Sequence, residues 1–246
     1  MKLPSPSRRS LLLLALAGTA PVRAQEPALV VLIDGSIEMP QARFHHGRAV
    51  DGLQYHLAME LGRRLGREVR FRLVPRRRVP ALLKDGQDAD LICNYMPDWL
   101  PGPLLWSRPY LDDGDLLVTA ARRPAIARLA DVTGQPVGTV AGFLYPEAQA
   151  ALGAGFVRDD APNLITTLHK MALGRFDHAI VGRVSFEYLL RRGEVPLKLH
   201  PPLVIARLRT ACALSSRSSL PLAQLDATLA AMQADGTLSR ILDRFR

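Results

Sequence analysis

Apolar residues fall along this chain in short unbroken runs and in helical stripes, and their order predicts its architecture. Ala28 to Ile33 is continuously apolar and stops at Asp34-Gly35, as a strand buried on both faces does before a turn. From Leu53 to Leu65, leucines recur every fourth position on one helical face, and Gly66 ends the stripe. Val69 to Val74 alternates apolar with basic residues, the pattern of an edge or half-exposed strand. Val79 to Lys84 reads as a short helix stopped at Asp85-Gly86, and Asp90 to Cys93 as the next strand. Strand, helix, strand, helix, strand is the order of a doubly wound parallel sheet.

A second series follows. Leu116 to Thr119 is extended, Ala127 to Asp131 a helix-like turn, Pro136 to Val140 a strand, and Pro146 to Leu152 a helix after Gly142. Val157 to Asp159 is a weaker strand, Asn163 to Ala172 a helix, and His178 to Val181 a buried strand. Leu203 to Leu214 returns to strand character, and Leu222 to Met232 and Leu238 to Phe245 form closing helices broken at Asp235-Gly236. MALGRFDHAIVG echoes LLKDGQDADLICN, which fits two similar lobes and equally fits ordinary αβ-loop chemistry.

The N-terminus changes the reading of charge. Lys2, Arg8 and Arg9 precede an uncharged run from Leu11 to Ala17 and then small residues up to Ala24, the layout of a secretory signal peptide over residues 1–24; Arg8-Arg9 also resembles a twin-arginine signal. Its removal takes four basic residues and no acidic one, so the formal charge falls from +9 to +5 over the 222 residues that remain. The other arginines are dispersed and no nucleic-acid-binding signature is present, so no nucleic-acid partner is expected. Export permits a disulfide, but Cys93 and Cys212, the two cysteines, read equally well as separate buried thiols. His45-His46 completes no ligand spacing, and no metal or cofactor is expected.

Asp90 to Tyr110 is a strand that feeds Tyr95, Trp99 and Trp106 into a proline-rich loop, a frequent way of walling a cleft. The segments LKDGQDADLI, WSRPYLDDGDLLV, LADVTGQPVGTVAG, LGRFDHAIVGRVSFEYLL and LAAMQADGTLSRILDRF resemble, in order and spacing, the bacterial extracellular solute-binding proteins of family 3, the periplasmic amino-acid-receptor type of ABC importers. The resemblance spans the mature chain and implies a two-lobe α/β periplasmic binding protein (type II), each lobe a mostly parallel sheet flanked by helices. Residues 25–118 and 208–246 would form lobe one and residues 119–207 lobe two, joined by two crossing strands around a ligand cleft. It also implies a Cys93–Cys212 disulfide, since both residues would lie on strands of lobe one, and makes Trp106 a core aromatic.

The chain departs from that family at the ligand. No Arg or Lys stands between Asn94 and Ser107, where the family holds a carboxylate, and no Asp or Glu between His178 and Phe186, where it holds an amino group. A standard α-amino acid is therefore not the expected ligand. Glu38, Met39, Arg76, Tyr95, Trp99, Phe143 and Arg183 are the candidate ligand-binding residues, with Tyr145 beside Phe143; the arginines point to an anionic ligand and the rings to an aromatic one. The expected function is a non-catalytic monomeric periplasmic receptor that presents a small molecule to an ABC permease or a membrane sensor. The alternatives are a dehydratase-type cleft enzyme on the same fold, with Glu38 as its acid or base, and a domain acting through protein contacts.

Overall fold

The computed structural model describes Met1, residues 26–86 and residues 88–245; the expected signal peptide lies outside the described residues apart from Met1. The elements run β1 (Leu29–Asp34), β2 (Arg43–His45), β3 (Arg48–Asp51), α1 (Leu53–Leu65), β4 (Val69–Val74), α2 (Val79–Asp85), β5 (Leu91–Tyr95) and β6 (Leu105–Trp106). There follow β7 (Leu111–Thr119), β8 (Pro136–Val140), α3 (Pro146–Leu152), β9 (Val157–Ala161), α4 (Leu164–Ala172), β10 (His178–Gly182) and α5 (Arg183–Arg191). The chain closes with β11 (Leu203–Leu214), α6 (Leu222–Ala234) and α7 (Thr237–Asp243).

The strands order as β4-β1-β5-β11-β7-β10-β8-β9, with β6 also on β11. Parallel pairing holds β4, β1 and β5 at one end and β10, β8 and β9 at the other. Between them β7 and β11 run antiparallel from Leu111 opposite Thr210 to Leu117 opposite Leu203. β11 then continues to pair β5, and β7 to pair β10, so these two long strands carry the chain between the lobes. The fold is a two-lobe α/β one, each lobe a mostly parallel sheet flanked by helices.

Each lobe buries apolar side chains on both faces of its sheet. In the first, Leu29, Val31, Leu91 and Leu214 pack under α1, α6 and α7 through Leu57, Leu61, Leu225, Leu229 and Ile241, while Leu32, Ile92 and Ala213 meet Val79 and Leu83 of α2 on the far face. In the second, Val118, Ala179 and Val181 pack on Leu168, Phe186 and Leu189, and Val137 and Ile180 on Ala148 and Leu152. Close approaches select glycine here. A Cβ on Gly114 would lie 2.5 Å from the Ala206 carbonyl oxygen across the β7–β11 ladder, so any side chain there would push the crossing strands apart.

Two elements differ from the sequence reading. Residues 43–51 form the β2–β3 hairpin, turned at His46-Gly47 with φ of 48° and 72°, the paired positive φ of a two-residue hairpin turn; the His at the first position hides what an Asn would announce. Arg183–Arg191 is helix α5, whose Phe186 and Leu189 are buried three residues apart, with Val184 and Tyr188 packed partly against the core between charged and polar positions.

Cys93 and Cys212 stand opposite each other in the β5–β11 pairing and are joined as a disulfide across 119 residues. It closes the C-terminal strand onto the first lobe. Replacing both with alanine is expected to lower unfolding stability by about 2–5 kcal/mol, since a loop this long is costly to close without the link. A urea midpoint that does not move would show that the link adds nothing.

Candidate functional site

The cleft is built around a buried ion pair at the carboxyl end of β1. Asp34 is fully buried; its Oδ1 accepts from the Ser36 backbone N–H and hydroxyl at 2.9 and 2.7 Å, and its Oδ2 from the Tyr95 hydroxyl at 3.1 Å and Arg76 Nη1 at 3.2 Å. Arg76 Nη1 also donates to the Tyr95 hydroxyl at 2.8 Å. Burial pushes the Tyr95 phenol well above its ordinary range, so it stays a neutral donor. The Pro75 ring and a single 3-10 turn over Arg76–Arg78 fix the guanidinium in this position. From there it reaches the other lobe: Nε donates to the Gly142 carbonyl at 3.1 Å, and the guanidinium carbon sits 4.2 Å from the Phe143 ring centroid.

A second bridge crosses the cleft from the loop after β1. Glu38 Oε2 accepts from the backbone N–H of Ile165 at 3.1 Å, in the first turn of α4. Burial raises the Glu38 proton affinity, and the Ile165 N–H and the charge of His169 partly offset it. The remaining α4 end is closed by Asn163, whose side chain accepts from Thr166 N–H at 2.8 Å. Asp113 does for α5 what Glu38 does for α4, accepting from Val184 N–H at 3.1 Å and from Gly114 N–H at 2.8 Å. At α1, the N–H groups of Leu53 and Gln54 donate to the Pro40 and Gln41 carbonyls at 2.7 and 2.9 Å. These helix N-termini, natural anion sites, are thus already engaged by the protein's own oxygens.

Between these bridges lies a cavity of about 110 Å³, walled by Ile37, Met39, Trp99, Val140, Phe143, Leu164, Ile180 and Leu208. Its polar lining includes Gln54, Asn94, Asp113 and Asp115. Asp115 lies two residues beyond Asp113 on β7, so both carboxylates share one face of the strand. Burial pushes Asp115 up to about 7, aided by the like charges of Asp113 and Glu147. Gln54 Oε1 is buried there without a hydrogen-bond donor.

Of the residues singled out in the sequence, Glu38, Met39, Arg76, Tyr95, Trp99 and Phe143 all line this cavity. Tyr95 and Trp99 meet edge to face at 6.2 Å, and Tyr145 is a buried part of the Phe143 wall. Arg183 does not line it: the half-buried residue borders a separate depression with Asp112 and Glu187, from which its charge still bears on Asp113. Arg77 and Arg78 are exposed. Of the arginines on which the expectation of an anionic ligand rests, the structure therefore brings one, Arg76, to the cavity. Arg76 is the cation among the described lining residues, and Asp34 already pairs it. His45 and His46 meet edge to face at 4.1 Å, and among the described residues no group of His, Cys, Asp and Glu is placed to hold a metal ion.

Four residues of the site escaped the sequence reading: Asp34, Gln54, Asp113 and Asp115. Asp34 was legible only as a turn residue. The two β7 acids did carry a signal, since acids two apart in a strand of buried residues must share a face.

No protein-family model matches the sequence, and no curated protein matches it. Solved structures do. An ancestral arginine-binding protein bound to arginine superposes with a TM-score of 0.72 at 19% identity, covering 89% of this chain and 97% of that one. An ancestral amino acid-binding protein, a precursor of cyclohexadienyl dehydratase, gives 0.73 at 16% identity over 89% and 95%. A histidine kinase sensor domain with similarity to periplasmic binding proteins gives 0.72 at 21% identity over 89% and 95%. At such identities the likeness is one of fold: the chain has the two-lobe periplasmic-binding-protein architecture. Among the described residues no helix is long and apolar enough to cross a membrane.

Proposed function

We propose that this chain is a periplasmic solute-binding receptor, a divergent member of the family 3 type, which encloses a small organic ligand between its lobes. The observation that carries this reading is a cavity walled from both lobes and already spanned by two polar bridges, Arg76 to Gly142 and Glu38 to Ile165. Contacts that form only when the lobes meet give the closed form its stability, and a ligand that touches both walls adds to it. The secretory layout of residues 1–24 supports delivery to the periplasm, where the closed form would be presented to an ABC permease or a sensor. A standard α-amino acid fits poorly: the loop after β5 offers no cation, and Arg76 spends its charge on Asp34.

A thermal-shift screen against amines, organic acids, peptides and sugars tests the reading. A ligand present at a hundred times its Kd adds about 2.7 kcal/mol to the folded state, a shift that is easily read. No shift from any class would move the function to protein contacts. Asp115 favours a second reading, because a cleft carboxyl that titrates near neutrality suits proton transfer. Conversion of a bound hit to product would establish an enzyme, and its recovery unchanged would leave the receptor.

A further inference from the structure

One carboxylate of the cleft has no counterpart. Asp115 is 8% exposed and faces the cavity, yet among the described residues no N–H or O–H donates to its side chain. The charges that bear on it, Asp113 on its own strand and Glu147 on α3, have the same sign. Its partners in the ladder, Ala206 of β11 and Gly182 of β10, bring no titratable side chain, and the neutral Tyr145 hydroxyl, which accepts the Val140 N–H at 3.0 Å, makes no hydrogen bond to it. Gln54 Oε1 is a second buried acceptor without a donor in the same cavity. A buried acceptor left unpaired is costly, and two of them in one ligand-sized space are complementary to a group that only donates. Glu38 and Asp113, by contrast, are satisfied by the helix ends they cap, and Arg76 by Asp34.

Building on the receptor reading, we propose that the cleft selects an organic cation: an ammonium or guanidinium on an apolar or aromatic body, without a carboxylate. The cationic end takes Asp115 and the Gln54 oxygen, and the body lies along Phe143, Trp99 and Leu164. A carboxylate on the ligand would find its natural seats taken, since α1, α4 and α5 have their first N–H groups engaged. It would also meet Asp113 and Asp115 across an apolar wall.

Matched pairs of probes isolate this claim: agmatine against arginine, phenethylamine against phenylalanine, and benzoate as an anion, each titrated calorimetrically into the purified chain. The amines are expected to bind about tenfold or more tightly than their carboxylated parents, and benzoate not at all. Asp115→Asn, which keeps the side-chain shape, should weaken the amine by about 30-fold or more, and circular dichroism of the variant establishes that it is folded. Amine affinity should rise about tenfold between pH 6 and pH 8 as Asp115 gives up its proton, and should be flat in the variant. Parents that bind as tightly as the amines, tight binding of benzoate, failure of both amines, or an unaffected Asp115→Asn would each overturn the assignment. Of these, binding of the acids would leave the receptor reading standing, whereas silence from every class in the broader screen would remove that reading too.

Discussion

Exchange of Arg76 for methionine is expected to lower the unfolding free energy by about 3–5 kcal/mol, because it strands a fully buried carboxylate. Asp34 has no exposure to solvent and draws charge compensation from this guanidinium alone among the described residues; the Ser36 and Tyr95 donors remain, but they bring dipoles. The same change removes the hydrogen bond to Gly142 and the guanidinium face against Phe143, so it loosens the junction between the lobes as well as the node beneath it. Two measurements separate these effects. Urea unfolding reports the node, and small-angle scattering reports the distance between lobes. Adding Asp34→Asn to Arg76→Met should recover much of the lost stability, since removing both members of a buried pair costs far less than removing one. The lobes should stay loosened, because asparagine restores nothing at Gly142. A single variant within about 1 kcal/mol of the parent, a minor change by the usual scale of point mutations, would show that Asp34 does not depend on Arg76.

The architecture was readable from the sequence because buried elements must repeat their apolar period. Leu53–Leu65, Pro136–Val140, Pro146–Leu152 and Leu203–Leu214 begin and end where that period does. The Val69–Val74 alternation announced an edge strand, and β4 is the edge of the first lobe. The hairpin at residues 43–51 and helix α5 left weaker traces, since each buries few side chains and one turns on an atypical His-Gly pair. The candidate site was legible where rings and charges stand out from their context, as Tyr95, Trp99, Phe143 and Arg76 do. It was illegible where the chemistry depends on pairing. Nothing in the sequence says that Arg76 spends its charge on Asp34, or that Glu38 and Asp113 cap α4 and α5 while Asp115 caps nothing. Those assignments arise from contacts 42, 127 and 71 residues apart. They reverse the electrostatic sense of the cleft, from the basic one its arginines suggest to an acidic one.

Asp115 makes a second large effect, one that is visible without any ligand. An aspartate ordinarily titrates at 3.8, and burial beside Asp113 and Glu147 moves this one up to about 7 in the folded chain. Between those values the folded protein keeps a proton that the unfolded chain has shed, so stability falls as pH rises from about 4 to about 7 and stays lowered above it. Asp115→Asn removes that slope. The variant is expected to match the parent near pH 4 and to exceed it at pH 8, by at most roughly 4 kcal/mol at about 1.4 kcal/mol for each tenfold change in proton affinity. Part of the gain comes through Asp113, which loses a like-charged neighbour. Chemical unfolding of both proteins across pH 4 to 8 measures the difference, and parallel curves would mean that Asp115 is solvated in the free cleft. Saturation with a cationic ligand should then invert the parent's trend, because the ligand binds the charged carboxylate and stabilises most where the empty cleft is weakest. On the proposed receptor reading, a residue that costs the free protein stability at neutral pH and would return it on binding would give the closed, occupied form a thermodynamic advantage over the closed, empty one, which a receptor needs if closure is to report its ligand.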